Sequence, residues 1–504
     1  MNPTEAPTTR AAWKLDSELT GRLLSMAYPV VLAMLTQTAI NLLDTIMVGR
    51  LPVQYSIAGQ SAIGYTLILL WGIGGFLSSF QVGTQAITAR RFGGGDSNGA
   101  GRTLSNSLVL TVTTSTIAAL SAFYFIETAF PFFNSDPDVL RLGIPYAKWR
   151  MLGIFPMVTV VSFKAFFDGI GFTKAHMIAA IAMNICNVIL NYVFIFGWGP
   201  IEPMYVEGAG LASAISSGIG TLLMLGISLR PKYLKTYRYF SLKRLDPKII
   251  WEITRLSIPS GFATMFVMTG FALFLKIVGM LDEQAVQESI TVLAAWTPPE
   301  AQALAALQGQ PLIGDLHLNS VMSRPSIFAA ATKVIMDAMS IAFMTCIAFG
   351  TATATLVSQS LGGDRADLAE RFGWESVRIG FYVMAGFGLF TLFFPEAVMG
   401  VFSKDAAVIE AGRNALRLMA LSTVFISTSL ILAQALYGAG NTQFVMKVEL
   451  ILHLTCLVPL AYVLGLTLNF GLVGIWASAL IYLALMAVIM AWKFAGGDWK
   501  TIDL

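Results

Sequence analysis

The chain has 504 residues, of which 56% are hydrophobic and 12% charged, with a formal net charge of +3 and a mean hydropathy of +0.70. Soluble domains carry roughly 25% charged residues, so the composition excludes a soluble enzyme and gives no basis for a nucleic-acid partner. It describes a multi-pass protein of the cell membrane, the inner membrane in a Gram-negative cell.

The first stretch, MNPTEAPTTRAAWKLDSELTG, is polar and carries both signs of charge. It lacks the short apolar core and small-residue cleavage site of a signal peptide, so the first span is expected to stay in the protein. Apolar runs of roughly 20 residues, long enough to cross about 30 Å of hydrocarbon as helix, then follow almost to the end. They predict spans at 23–48, 58–89, 103–131, 142–165, 175–198, 208–229, 251–279, 326–357, 372–398, 413–436, 447–468 and 472–494. Arg10, Lys14 and Arg22 precede the first span, Arg90, Arg91 and Arg102 surround the loop after the second, and RPKYLKTYRYFSLKRLDPK joins the sixth to the seventh. The alternate loops FNSDPD and PIEPMYVE carry acids instead. By the positive-inside rule both termini and the central linker face the cytoplasm.

The spans fall into two halves. Gly169, Gly171 and Thr173 recur as Gly438, Gly440 and Thr442, an offset of 269; FGGGD at 92–96 recurs as LGGD at 361–364; Pro29 aligns with Pro259 at an offset of only 230. The difference places 39 extra residues in the second half, on the outer face. The expected organisation is a cytoplasmic tail (1–22), a first lobe of six helices (23–229), a basic cytoplasmic linker (230–250), a second lobe (251–494) with an extracytoplasmic insertion (280–325), and a short cytoplasmic tail (495–504). AQALAALQG within that insertion has the composition of a short helix. Two parallel repeats imply a cleft between bundles and alternating access. The glycine clusters follow no strand and lack the lysine and hydroxyl of a nucleotide loop, so they are read as short helix connections. Cys186, Cys346 and Cys456 lie far apart in apolar runs and are read as small buried hydrophobes.

Within the first span, Gln37, Asn41 and Asp44 are spaced i, i+4, i+7 and share one helical face. On the fifth, Asn184, Asn187 and Asn191 form a second polar stripe. The equivalent places in the second half are Val267, Phe271 and Phe274, and His453, Cys456 and Leu460. A cluster present in one sister lobe and missing from the other reads as function rather than as structural glue. A lone carboxylate at helix centre costs on the order of 3 kcal/mol, and such a group takes a proton or binds a cation. Asp44 is therefore expected to carry the coupling ion, H⁺ or Na⁺.

These motifs resemble the multidrug and toxic compound extrusion (MATE) family over residues 20–495: Pro29 followed by NLLDTIMVGR, then FGGGD, FDGIGFTK, NVILNYVFIFG, GAGLASA, GTATATLVSQSLGGD and ALYGAGNTQ. The pattern is most similar to the DinF-like branch. The resemblance implies an all-α integral membrane fold of the MOP superfamily, with twelve transmembrane helices in two pseudo-symmetric six-helix bundles. It implies antiport, in which H⁺ or Na⁺ entry drives export of organic cations or drugs, by a monomer among membrane lipids, with no cofactor. Asp44 matches the family's first-helix coupling aspartate, Asn187 and Asn191 a polar pair on helix five, and Ser213 a nearby hydroxyl. A Na⁺ ion would fall among Asp44, Asn187 and Asn191. Asn191 stands where the DinF-like branch usually has an aspartate, and the NorM-like acid on helix seven, near Val267 or Met268, is missing.

In the second lobe Lys276, and Lys333 with Asp337 at i, i+4, lie in apolar context. Lys276 and Lys333 are read as snorkelling to the outer interface, and Asp337, which is deeper, is expected to serve the cavity or to pair with Lys276. A lysine facing the cleft would bias substrates towards anions. A lipid-linked oligosaccharide flippase is the main rival, but it wants several basic residues in the cavity, and the first lobe offers none beyond Lys164. A membrane-embedded enzyme would need clustered catalytic groups, whereas His176, His317 and His453 are scattered.

Overall fold

A computed structural model describes residues 14–132, 134, 136–296 and 326–504, with the side chains of 41, 42, 44, 45, 53, 54, 57, 242 and 289–296 excepted. Asn41 and Asp44 are thus on the described backbone of the first helix, while their side chains lie outside the described residues. So does most of the outer insertion, including AQALAALQG.

Among the described residues, twelve helices are long and apolar enough to cross a membrane. They are α1 (Ser17–Gly49), α2 (Ala58–Gly93), α3 (Ser97–Ala129), α4 (Pro137–Gly169), α5 (Lys174–Phe196), α6 (Tyr205–Ser228), α7 (Pro247–Trp296), α8 (Ile327–Gly362), α9 (Ala366–Phe393), α10 (Ala406–Ala439), α11 (Thr442–Thr467) and α12 (Gly471–Gly496). Helices satisfy their own backbone groups, which lipid cannot do. Their free N–H ends are met by aspartates at the starts of α1, α3 and α10: Asp16, Asp96 and Asp405 each accept backbone N–H groups of the first turn, which is what an N-cap does.

The expected insertion begins as helix: α7 continues unbroken past 279 to Trp296, so its first residues lengthen the span instead of forming a separate element. The basic linker is packed rather than loose. It holds a short helix, Pro231–Tyr237, and buries Tyr233, Tyr237 and Tyr239 against Phe163, Phe166 and Phe167. Asp246 then pairs with Arg102 at 3.1 Å, and its N–H donates to Asn106. Burial of the phenols raises all three tyrosines above their ordinary range. Cys346 and Cys456 are buried and Cys186 half-buried, all three as free thiols.

The lobes meet most tightly at the end that carries the linker and both described chain ends. There α2 crosses α8 so closely that a Cβ on Gly93 would lie 2.0 Å from the Gln359 carbonyl oxygen, and one on Gly362 would lie 1.8 Å from that of Arg90. Only glycine fits such a backbone contact, which accounts for FGGGD and LGGD more fully than short connections do. Around the crossing, Gln85 Nε2 donates to the Thr351 carbonyl and to Thr355 Oγ1 (3.0 and 2.8 Å), Ser358 Oγ to the Ala86 carbonyl (2.8 Å), and Gln359 Nε2 to the Gly169 carbonyl (2.7 Å). At the edge, the start of α1 docks on α9: the Asp16 N–H and the Thr20 hydroxyl both donate to Glu375 Oε1 at 2.7 Å, and Arg371 reaches Asp16 at 2.7 Å.

Candidate functional site

Inside the first lobe, α1, α4, α5 and α6 enclose a small polar pocket of about 60 Å³. Gln37 comes from α1; Asn184 and Asn187 from α5; Ser213, Ser216 and Ser217 from α6; and Arg150 from α4. The i, i+3, i+7 spacing on α5 does what it predicted: all three asparagines are buried on one face. Asn184 Nδ2 donates to Thr36 Oγ1 of α1 (3.1 Å), Asn187 Nδ2 to Ser213 Oγ (3.4 Å), and Asn191 Nδ2 to Asn187 Oδ1 (3.0 Å). Gln37, Asn184, Asn187, Asn191 and Ser213 therefore come together as expected. Asp44 lies two turns along α1 from Gln37, on the same face by its i+7 spacing.

The pocket adjoins a cavity of about 390 Å³ whose wall is mostly apolar, with Met34, Trp71, Met157 and Met183 among its residues. Such thioether and aromatic walls adapt to differently shaped ligands. Arg150 lines both spaces and His176 the larger one. Among the described residues, the buried Arg150 Nε and His176 Nδ1 have no hydrogen-bond partner. The expectation of a first-lobe cavity without basic residues beyond Lys164 is thus corrected. The chain breaks α4 at Gly153, between Pro137–Leu152 and Ile154–Gly169, and Arg150 in the turn before that break reaches the cavity. Lys164 instead forms a buried ion pair with Asp168, 3.0 Å away and one turn along the same helix.

In the second lobe Asp337 pairs with Lys333 at 2.7 Å, and Lys276 is exposed. Among the described residues the expected Lys276–Asp337 pair is not formed; the carboxylate takes its i, i+4 neighbour Lys333 instead. One buried polar group of this lobe is one that residue spacing missed. Glu449 and His453 on α11 meet Tyr482 of α12, whose hydroxyl donates to Glu449 Oε2 at 2.9 Å. His453 occupies the place in the second half that Asn184 has in the first, so the two lobes are less unequal than the comparison of stripes implied.

The MatE family model matches residues 29–193 and 318–463, more than half of the chain and parts of both lobes. The chain belongs to the MatE family. Among curated relatives, a probable multidrug resistance protein NorM of Mannheimia succiniciproducens is 23% identical over 475 residues, covering 94% of this chain and 92% of the relative. A protein of the same name from Thermotoga maritima is 22% identical over 494 residues, covering 96% and 94%. Among solved structures, the outward-facing conformation of a multidrug resistance MATE family transporter of the MOP superfamily aligns with a TM-score of 0.79 at 19% identity, over 98% of this chain and all of that one. A Pyrococcus furiosus MOP superfamily transporter, described as having a binding pocket of reverse polarity, aligns at 0.77 and 18%, over 99% of this chain and all of that one. At these identities the structures establish the twelve-helix, two-lobe MatE fold. MatE proteins are membrane transporters, not enzymes.

Proposed function

We propose that this MatE protein is a secondary antiporter that exports organic cations and other drugs in exchange for H⁺ or Na⁺, with Asp44 carrying the coupling ion. The observation behind this reading is the convergence of Gln37, Asn184, Asn187 and Ser213 on one pocket beside the face of α1 that carries Asp44. Amide and hydroxyl oxygens there suit a hard cation such as Na⁺, and the same groups can hydrogen-bond a carboxyl that takes a proton. The mostly apolar cavity beside the pocket suits weakly hydrated drugs. Loading the ion and loading the drug alternate, and the cross-lobe contacts at the linker end hold one of the two access states.

The basic residues that gather at that end, Arg90, Arg91, Arg102 and the linker, support an orientation with both termini in the cytoplasm. A second reading, export of an organic anion, is favoured by Arg150, a permanently charged side chain on the wall of both first-lobe spaces.

Dye efflux by inverted vesicles under separately imposed proton and sodium gradients tests the antiport. One gradient is expected to drive transport, and Asp44→Asn to abolish that dependence. Transport indifferent to both gradients, or an unchanged gradient dependence in Asp44→Asn, overturns the proposal.

A further inference from the structure

The second lobe holds a titratable group that the coupling mechanism above does not use. Glu449 is buried on α11, about two turns after the start of this membrane-crossing helix. Its Oε2 accepts the Tyr482 hydroxyl at 2.9 Å, and His453 Nδ1 lies 3.6 Å from the same oxygen. His453 Nδ1 is also 2.8 Å from the Glu449 backbone carbonyl. A carbonyl oxygen only accepts, so Nδ1 carries the hydrogen and the neutral ring keeps its lone pair on Nε2. The His453 and Tyr482 rings pack at 4.6 Å. A carboxyl, a phenol and an imidazole thus form one buried cluster.

The groups around it leave the carboxylate without a permanent cation. Facing it are His453 from α11, Tyr482 from α12 and Tyr437 from α10. Lys447, on its own helix, is exposed. No lysine or arginine pairs with Glu449 among the described residues. An ionisable side chain buried in the membrane without a fixed counter-ion marks an ion pathway more often than a structural element.

Local backbone adds a second observation. The α-helical hydrogen bonding of α11 gives way to a π-turn at His453–Leu457, and to another at Val463–Thr467, with Pro459 between them. Such bulges concentrate at functional sites and mark places where a helix bends. Across from the first bulge, Gly270 of α7 makes room for the imidazole: a Cβ there would lie 2.4 Å from His453 Cδ2.

We propose that Glu449, His453 and Tyr482 form a second proton site, in the second lobe, which loads and unloads during the transport cycle and acts on the π-turn of α11. A proton entering the cluster binds a Glu449 oxygen and neutralises it, while Tyr482 keeps its hydrogen bond. On release the proton leaves the Glu449 oxygen for water, and the carboxylate is again held by the phenol beside the Nδ1–H of His453. This site is independent of the proposal for Asp44.

The test is a pH-difference infrared spectrum of the purified full chain in liposomes, read at the C=O stretch of a protonated carboxyl. The expected result is a band that titrates between about pH 5 and pH 9, is lost in Glu449→Gln and persists in Asp44→Asn. Tyr482→Phe and His453→Asn, which keep the carboxyl, are expected to retain the band and shift its midpoint. In parallel, transport by Tyr482→Phe is expected to change its pH profile while substrate binding at fixed pH is unchanged. Absence of a Glu449-dependent band in that range overturns the proposal, as does a wild-type midpoint and a wild-type transport profile in both Tyr482→Phe and His453→Asn. The Asp44 reading fails on a different result, an unchanged gradient dependence in Asp44→Asn whatever the Glu449 band does, so the two are separable.

Discussion

Thr20→Val should loosen the linker end of the molecule. The Thr20 hydroxyl of α1 donates at 2.7 Å to Glu375 Oε1 of α9, a carboxylate with no exposed side-chain surface that also accepts the Asp16 N–H and pairs with Arg378 at 2.7 Å. Valine matches threonine in shape and removes only the hydroxyl. A hydrogen bond to a charged partner contributes about 1.5–3 kcal/mol. If this bond is made only while the lobes are closed at that end, losing it shifts the closed-to-open ratio about 10- to 150-fold, since 1.4 kcal/mol is a factor of about ten. Spin labels at Lys174 and Asp367, exposed residues of the two lobes, would report this by pulsed electron–electron resonance after replacement of the three native cysteines. The distance distribution should gain a long component in Thr20→Val, and Thr20→Ser, which keeps the hydroxyl, should resemble the parent. Equal distributions in all three proteins would refute the idea that this contact holds the closed state.

Gly270→Ala should place a methyl against His453 and displace the imidazole from its 2.8 Å contact with the Glu449 carbonyl, altering the pH dependence of transport measured in liposomes more than substrate binding. Gly362→Ala meets the Arg90 carbonyl rather than a flexible side chain, so the same spin-label pair should show a closed distance that is longer or lost. Arg150→Gln should favour cationic over anionic substrates in competition assays, because it removes the fixed positive charge from the first-lobe cavity. The docking of α1 should hold steady between about pH 8 and pH 5. Asp16 is kept below the ordinary carboxylate range of about 3.9, first by the Leu19 N–H and also by Arg371. A depressed carboxyl stabilises the folded form above its unfolded value and loses that contribution only as pH falls through the folded one. Label distances that change between pH 8 and pH 5 in a manner abolished by Asp16→Asn would contradict this.

The twelve helices were legible in the chain because lipid imposes one length and one polarity on every span. The α5 stripe was legible for a related reason: three asparagines at i, i+3, i+7 have to share a face, and that face has to find polar company. Glu449 escaped because its partners are remote in sequence or ambiguous in type. Tyr482 is 33 residues away on another helix, and a tyrosine in an apolar run reads as ordinary packing. Matching the halves by a fixed offset inspected His453 but passed over the glutamate one turn earlier. Arg150 was passed over because a single cation within an apolar span belongs to no polar stripe, and its place on the cavity wall depends on how α4 packs against α1 and α6. The Lys276–Asp337 pair does not form, while Lys333, four residues from Asp337 on the same helix, sits at the spacing where side chains meet.

Gly93 and Gly362 stand 269 positions apart, the same interval that relates the two halves elsewhere in the chain. Each contributes its Cα to the other's helix, so the crossing of α2 and α8 is a self-complementary joint lying on the pseudo-twofold axis. Between two identical six-helix chains the same joint would be an isologous dimer interface. The present protein has the form of such a dimer fused end to end, and an even number of crossings per half leaves both ends on one side, where a segment of about twenty residues suffices to join them.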